Sequence, residues 1–273
     1  MLRTLFIEEA RTQVVRNAAV TGACCLILLG FLGLWWLLAG VPALAGLMRL
    51  ASLVVIIAMP VVVMAQVAVE YWQSMYGQRG YLTMAVPVRG RVHFAAKVLY
   101  ACLMALVSGA IALGGLIAWF AVLAYSAGHT LGEVLEPLYA AVDMVGGGKA
   151  AFYTAAVLIG SVALVIEVGA VMSIGAQGRF NHLGFGAPLV GFVVLYAANQ
   201  VLGLVATLFL PFGVDITTGE FTTRVMWSQF LESFRTGAEP AVVGMGAVTV
   251  GPLLAGVLSW WAVRAIERHT SLR

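Results

Sequence analysis

The sequence predicts an all-α membrane protein of six transmembrane helices, and three observations predict it. Hydrophobic residues make up 62% of the 273 residues and charged residues only 10%, with a mean hydropathy of +1.00, far from the composition of a water-soluble domain. The apolar residues are gathered into runs of about 20, the length a helix needs to cross the hydrocarbon of a bilayer. The basic residues between these runs are divided unevenly: Arg49, Lys149, Arg224 and Arg235 fall on one side, and the other 11 of the 15 Lys and Arg fall on the opposite side.

The expected spans are residues 17–40, 48–69, 93–124, 151–176, 185–210 and 241–263, all within a single transmembrane domain, 1–273. Positively charged flanks stay in the cytoplasm. The division of basic residues therefore places both termini there and the chain in the cytoplasmic (inner) membrane, with membrane lipids as its surroundings. Arg3, Arg11 and Arg16 precede the first run as they would in a secretory signal. That run is too long for a signal core of roughly 7 to 15 residues and ends in Val41-Pro42 without a small-x-small cleavage pattern, so it is read as a retained helix. Ahead of it, Leu2, Leu5, Phe6, Ala10 and Val14 share one helical face, with Arg3, Glu8, Arg11 and Thr12 mostly opposite. Residues 1–16 are expected to form an amphipathic helix lying in the membrane interface.

Residues 177–184 make a short inner turn, whereas 70–92 inside and 125–150 and 211–240 outside are long enough to hold structure. Leu131, Leu135, Leu138 and Val142 form one helical stripe, and Met226, Phe230 and Phe234, with Trp227 and Leu231 beside them, form another. Each stripe is either a short helix on the outer leaflet or a set of loop residues packed on the bundle. Ala247, Gly251 and Ala255 recur every four positions, as do Ala187 and Gly191. Such ladders bring helices close, within one subunit or between two.

Few residues carry reactive chemistry. Cys24, Cys25 and Cys102 lie inside apolar runs, and His93, His129, His182 and His269 sit near span ends, so no metal spacing and no Ser-His-Asp set emerges. The net charge of +3 gives no reason to expect nucleic acid. Gly146-Gly147-Gly148-Lys149-Ala150 is a decoy for a phosphate-binding loop, since it lacks the first glycine and the hydroxyl residue. The chain is expected to be no enzyme and to hold no cofactor itself. Glu167 is the one carboxylate deep in a span, about 15 Å from the inner end of its helix. It either lines a substrate path, where it could bind a cationic substrate, or serves as a protonated or hydrogen-bonded tie between helices. Gln66, Asn199 and Gln200 are grouped with it as pathway candidates; the alternative is interhelical hydrogen bonds worth about 1 kcal/mol each.

The inner segment 70–92 is the most informative. Gly77, Gly80, Pro87 and Gly90 punctuate a short apolar stretch, which suits a compact turn or short helix. A plain connection needs about 2 to 8 residues, so this segment either contacts something or is a basic linker on lipid headgroups. The run Tyr76-Gly77-Gln78-Arg79-Gly80-Tyr81-Leu82-Thr83, then Val86-Pro87-Val88-Arg89 and Lys97, resembles the Gly-Tyr-Leu-Thr…Leu-Pro-Val-Ser-Arg…Ser-Lys segment of bacterial ABC transporter permeases of the type-two family, with ABCG-like topology. Ala85-Val86, Gly90 and Ala96 depart from that pattern. The resemblance implies six spans, an N-terminal interfacial helix and a coupling helix between the second and third spans. It also implies ATP and Mg bound on a separate cytoplasmic ATPase subunit, and a second permease copy or paralogue. On that basis Tyr76, Gly77, Arg79, Gly80, Tyr81, Leu82, Pro87 and Arg89 are the expected ATPase-coupling residues, and the chain is expected to be the permease subunit of an exporter. The second reading is a non-transporting membrane receptor, immunity or assembly protein.

The topology is testable with single cysteines placed in a background lacking Cys24, Cys25 and Cys102. A cysteine at Gly178 should react only with reagents on the cytoplasmic face, and one at Glu133 or Thr218 only from outside. Reversed labelling at either group would overturn the orientation.

Overall fold

The computed structural model describes residues 1–77, 79–237 and 239–268. Gln78, His269 and Arg273, which entered the sequence reading, lie outside the described residues. Among the described residues, six helices are long and apolar enough to cross a membrane and three short strands accompany them; the chain is a multi-pass, all-α membrane protein. It gathers into two compact units, Met1–Ala150 and a second that begins at Ala151.

The first unit is a bundle of α1 (Leu2–Leu37), α2 (Pro42–Met75) and α4 (Gly90–Ala127), with α3 (Gly80–Ala85) between α2 and α4 and α5 (Leu131–Val145) after α4. Pro42 opens α2 at a position where the missing N–H costs no helical hydrogen bond. Leu28, Leu32 and Trp35 of α1 meet Ile56 and Met59 of α2 and Ala112 of α4. Trp35 packs on Trp119 with ring centroids 5.5 Å apart, and the Trp119 indole donates to the Arg49 carbonyl at 3.2 Å. Gly115 brings α4 close to α1, since a Cβ there would stand 2.8 Å from Leu28 Cδ2. α4 ends on Gly128 at φ 73°, the left-handed conformation that closes a helix most cheaply with glycine. Thr130 and Glu133 then form a capping box that starts α5. The Thr130 backbone N–H, above all, holds the Glu133 carboxyl below its ordinary range.

α1, α2 and α4 contain 36, 34 and 38 residues. At 1.5 Å per residue they are about 50 to 57 Å long, against roughly 30 Å of hydrocarbon, so each extends well beyond it. Residues 2–16 are helical, within the expected 1–16, but they form the first turns of α1 with no break before residue 17.

The second unit contains most of α6 (Gly147–Gly175), a 3-10 turn at Gly178–Leu183, α7 (Gly186–Phe209), α8 (Met226–Thr236) and α9 (Ala247–Arg268). Strands β1 (Gly213–Asp215), β2 (Phe221–Thr222) and β3 (Val242–Gly244) form an antiparallel sheet in the order β2-β1-β3, with Gly213 opposite both Thr222 and Gly244. Phe152, Phe212 and Phe221 cluster beside it. In the β1–β2 turn the Asp215 carboxylate accepts from the Thr217 hydroxyl at 2.6 Å and from the Thr217 N–H at 2.9 Å. These two bonds, hydroxyl first, hold its carboxyl below the ordinary range. The turn's contribution is therefore complete above the ordinary carboxylate pKa and is lost as pH falls through the lowered native value. Val242–Gly244 pairs with β1, so the last span starts at Ala247 rather than at residue 241.

The small-residue ladder is used inside the chain. A Cβ on Gly251 would meet Ala163 Cβ at 3.6 Å, one on Gly203 would meet Ala247 Cβ at 3.8 Å, and one on Gly191 would lie 2.6 Å from Val171 Cγ1. Two glycines before α9 are under a harder constraint. A Cβ on Gly244 would fall 1.9 Å from the Thr207 carbonyl oxygen, and one on Gly246 would fall 2.0 Å from that of Ala206. These are backbone atoms held in α7 and cannot step aside. Gly246→Ala should therefore destabilise the detergent-solubilised protein by about 1–3 kcal/mol in thermal unfolding. Gly256→Ala, with nothing within 4 Å of its Cβ, should be neutral or slightly stabilising. Equal melting of the two variants would refute the close approach.

Candidate functional site

The segment 70–92 resolves into three parts: the last turns of α2, the helix α3, and an extended link into α4. Gly77 folds the chain back on α2, where a Cβ would lie 3.0 Å from both the Gln73 Cα and its carbonyl oxygen. Arg79, at the start of α3, donates to Glu70 and to Gln73, each at 2.8 Å. Thr83 donates its hydroxyl proton to the Ser74 carbonyl at 2.7 Å. α3 is thus fastened at both ends to the last two turns of α2. It leaves Tyr81 and Leu82 outside, 57% and 75% exposed, with Pro87 and Arg89 exposed beyond them.

Tyr76 is only 2% exposed and packs on Tyr71 and Trp72, with ring centroids 6.3 and 5.3 Å away, so it supports the segment from within. Gly80 is buried as well and shapes the start of α3.

Beneath α3 lies a network of charged and polar groups. One Glu70 oxygen takes Arg79 and the other pairs with Arg16 of α1. The Lys97 ammonium donates to both oxygens of Glu9, at 2.8 and 2.6 Å, and to Ser74 Oγ at 2.7 Å. Three protons thus meet three acceptors. Gln13 donates to the same Glu9 carboxylate, and Asn17 donates to the Tyr100 hydroxyl at 2.8 Å. The Glu70 and Lys97 side chains are 5% exposed. The buried His93 hydrogen-bonds the backbone of Val86 in the link after α3. A cavity of about 300 Å³ opens among Glu9, Gln13, Ser74, His93 and Lys97. Removing one partner of such a buried pair costs about 3–5 kcal/mol, because the other charge is left uncompensated. Of these groups, the resemblance gave a coupling role to Arg79 alone and included Lys97 in its motif, while Arg16 counted only toward the orientation. The available signal was the i, i+4 spacing of Glu9, Gln13, Asn17 and Thr21, of which the last three are buried.

In the second unit, Glu167 of α6 is 1% exposed. Its Oε2 accepts from the Asn199 amide of α7 at 2.9 Å, and Oε1 has no hydrogen-bond partner among the described residues. Both residues line a cavity of about 450 Å³ walled mainly by apolar groups of α6, α7 and α9. The structure therefore joins Asn199 to Glu167. Gln200, one position on and about 100° around the helix, is exposed and does not line this cavity. Gln66 is half-buried in α2 of the first unit. Among the described residues, no three His, Cys, Asp or Glu side chains are placed to hold a metal ion.

No family model, curated protein or solved structure matches this chain.

Proposed function

We propose that the chain is the permease subunit of an ATP-driven transporter, acting as an exporter in the cytoplasmic membrane with both termini in the cytoplasm. ATP and Mg would be held by a separate ATPase subunit that docks on α3, and a second permease, a copy or a paralogue, would complete the pathway. The observation that carries this reading is the construction of α3. It presents Tyr81 and Leu82 outward, while Arg79 and Thr83 tie it to Glu70 and to the Ser74 backbone. Exposed aromatic and aliphatic side chains on a rigid platform are what a docking partner needs as anchors. A loop that only joins two spans has no use for them.

The ties give the docked subunit mechanical access to the bundle. A push on α3 passes through Arg79 to Glu70 and from there to Arg16 of α1. Through Thr83 it also reaches Ser74 and hence Lys97 of α4 and Glu9 of α1. All three helices of the first unit would shift together when the ATPase subunits close. The cavity at Glu167 and Asn199 would belong to the substrate path.

Each lost anchor should weaken ATPase association by about 1–3 kcal/mol, or roughly 5- to 150-fold. A Tyr81→Ala, Leu82→Ala variant should insert normally yet lose the ATPase subunit during co-purification. Leu138→Ala with Tyr139→Ala, which removes two other exposed side chains, on α5, should retain it. Retention by the α3 variant with transport unchanged would refute the docking role.

A further inference from the structure

We infer that the Glu167 cavity is a binding site for an amphiphilic organic cation, a protonated amine carried on an apolar body. The cavity, about 450 Å³, is the size of a pocket for a small organic ligand. Three of its lining side chains are polar, those of Glu167, Asn199 and Tyr196, and none is basic. The Asn199 amide is already used on Glu167 Oε2, which leaves Oε1 as a buried acceptor with no donor among the described residues.

Pro252 lies inside α9 and has no N–H, so the carbonyl of Val248, four residues earlier, lacks its helical donor. Val248 and Pro252 both line this cavity. Phe192 and Tyr196 add aromatic rings, whose faces attract a cation. The site thus has a buried acceptor without a donor among the described residues, one latent negative charge and apolar walls. An ammonium group supplies donors and neutralises the carboxylate, and an apolar tail fills the remainder. An anion would face Glu167 with no basic residue to offset it. A neutral apolar molecule would leave Oε1 as unsatisfied as before.

That this ligand is the transported substrate rests on the transporter reading; its binding does not. The test is therefore made on the full chain alone in lipid nanodiscs, by the fluorescence of dansylcadaverine, a primary amine on an aromatic body, with empty nanodiscs subtracted. The amine should bind saturably, and its N-acetylated, uncharged derivative should bind at least about 10-fold more weakly. Glu167→Gln should weaken the amine about 10- to 100-fold, the range for a lost charge-assisted hydrogen bond. Gly160 lines the cavity, and its Cβ would meet nothing within 4 Å. Gly160→Leu should therefore block binding by filling space while leaving Glu167 in place, and it decides the matter if Glu167→Gln fails to fold. Equal binding of the amine and its acetylated form, or unchanged binding in folded Glu167→Gln or Gly160→Leu, overturns the site. Normal amine binding without ATP-driven amine transport, in vesicles that also carry the ATPase subunit, would instead sink the transporter reading and leave the site standing.

Discussion

The Lys97 ammonium, buried where α1, α2 and α4 come together, requires three acceptors, and it takes two from Glu9 and one from Ser74. Much of the first unit follows from that requirement. Glu9 can reach Lys97 only if the N-terminal segment runs on as helix alongside α4. An N-terminal helix lying flat in the interface would leave the lysine without its counter-charge. Ser74 can reach it only if α2 continues past its apolar run, and that continuation supplies the carbonyl to which Thr83 of α3 is tied. The long extensions of α1, α2 and α4 and the seating of α3 are thus consequences of one buried cation and its partners.

The same rule acts in the second unit with fewer polar groups. Within hydrocarbon an unsatisfied polar group costs several kcal/mol, so Glu167 is turned inward and held by Asn199 from the neighbouring helix. Small residues at Gly251, Ala247 and Gly203 let the helices approach where no water-driven collapse assists them. Gly244 and Gly246 carry this furthest, since they lie against the carbonyls of Thr207 and Ala206 as the chain passes from the sheet into α9.

The six spans were legible because length and hydropathy need no tertiary information. α5 and α8 were half legible: their stripes repeat every three or four residues within one segment, but left a short helix and packed loop residues as equal readings, and both are helices. The strands were not, since β1, β2 and β3 are two or three residues each and have no alternation to detect. The continuity of α1 was hidden because its cause lies far along the chain: Lys97 is 88 residues from Glu9, and Tyr100 is 83 from Asn17. In α3 the segment itself could be read, but not which aromatic faces out. Tyr76 and Tyr81 are alike in sequence, and only the fold-back at Gly77 decides that one is buried and the other exposed. At the second site, Glu167 stood out as a lone carboxylate, whereas choosing Asn199 over Gln200 required the rotation of α7.

Arg16, Arg79 and Lys97 belong to the basic majority from which the orientation of the chain was read, and the same three residues tie the helices together. They divide the work by depth. Lys97 is 5% exposed and fully paired, whereas Arg16 and Arg79 are 56% and 48% exposed, so their guanidinium groups share Glu70 while still facing solvent. Arginine suits that position, because its planar fork keeps donors free after one carboxylate oxygen has been taken. Three cations against Glu9 and Glu70 leave an excess of positive charge, and it falls on the two arginines that water can screen. Orientation signal and structural network cannot then be varied separately here. Charge reversal at Arg16 or Arg79 would place like charges around Glu70 and loosen α3, whereas reversal at Arg89, exposed on the link beyond α3, would leave these ties in place.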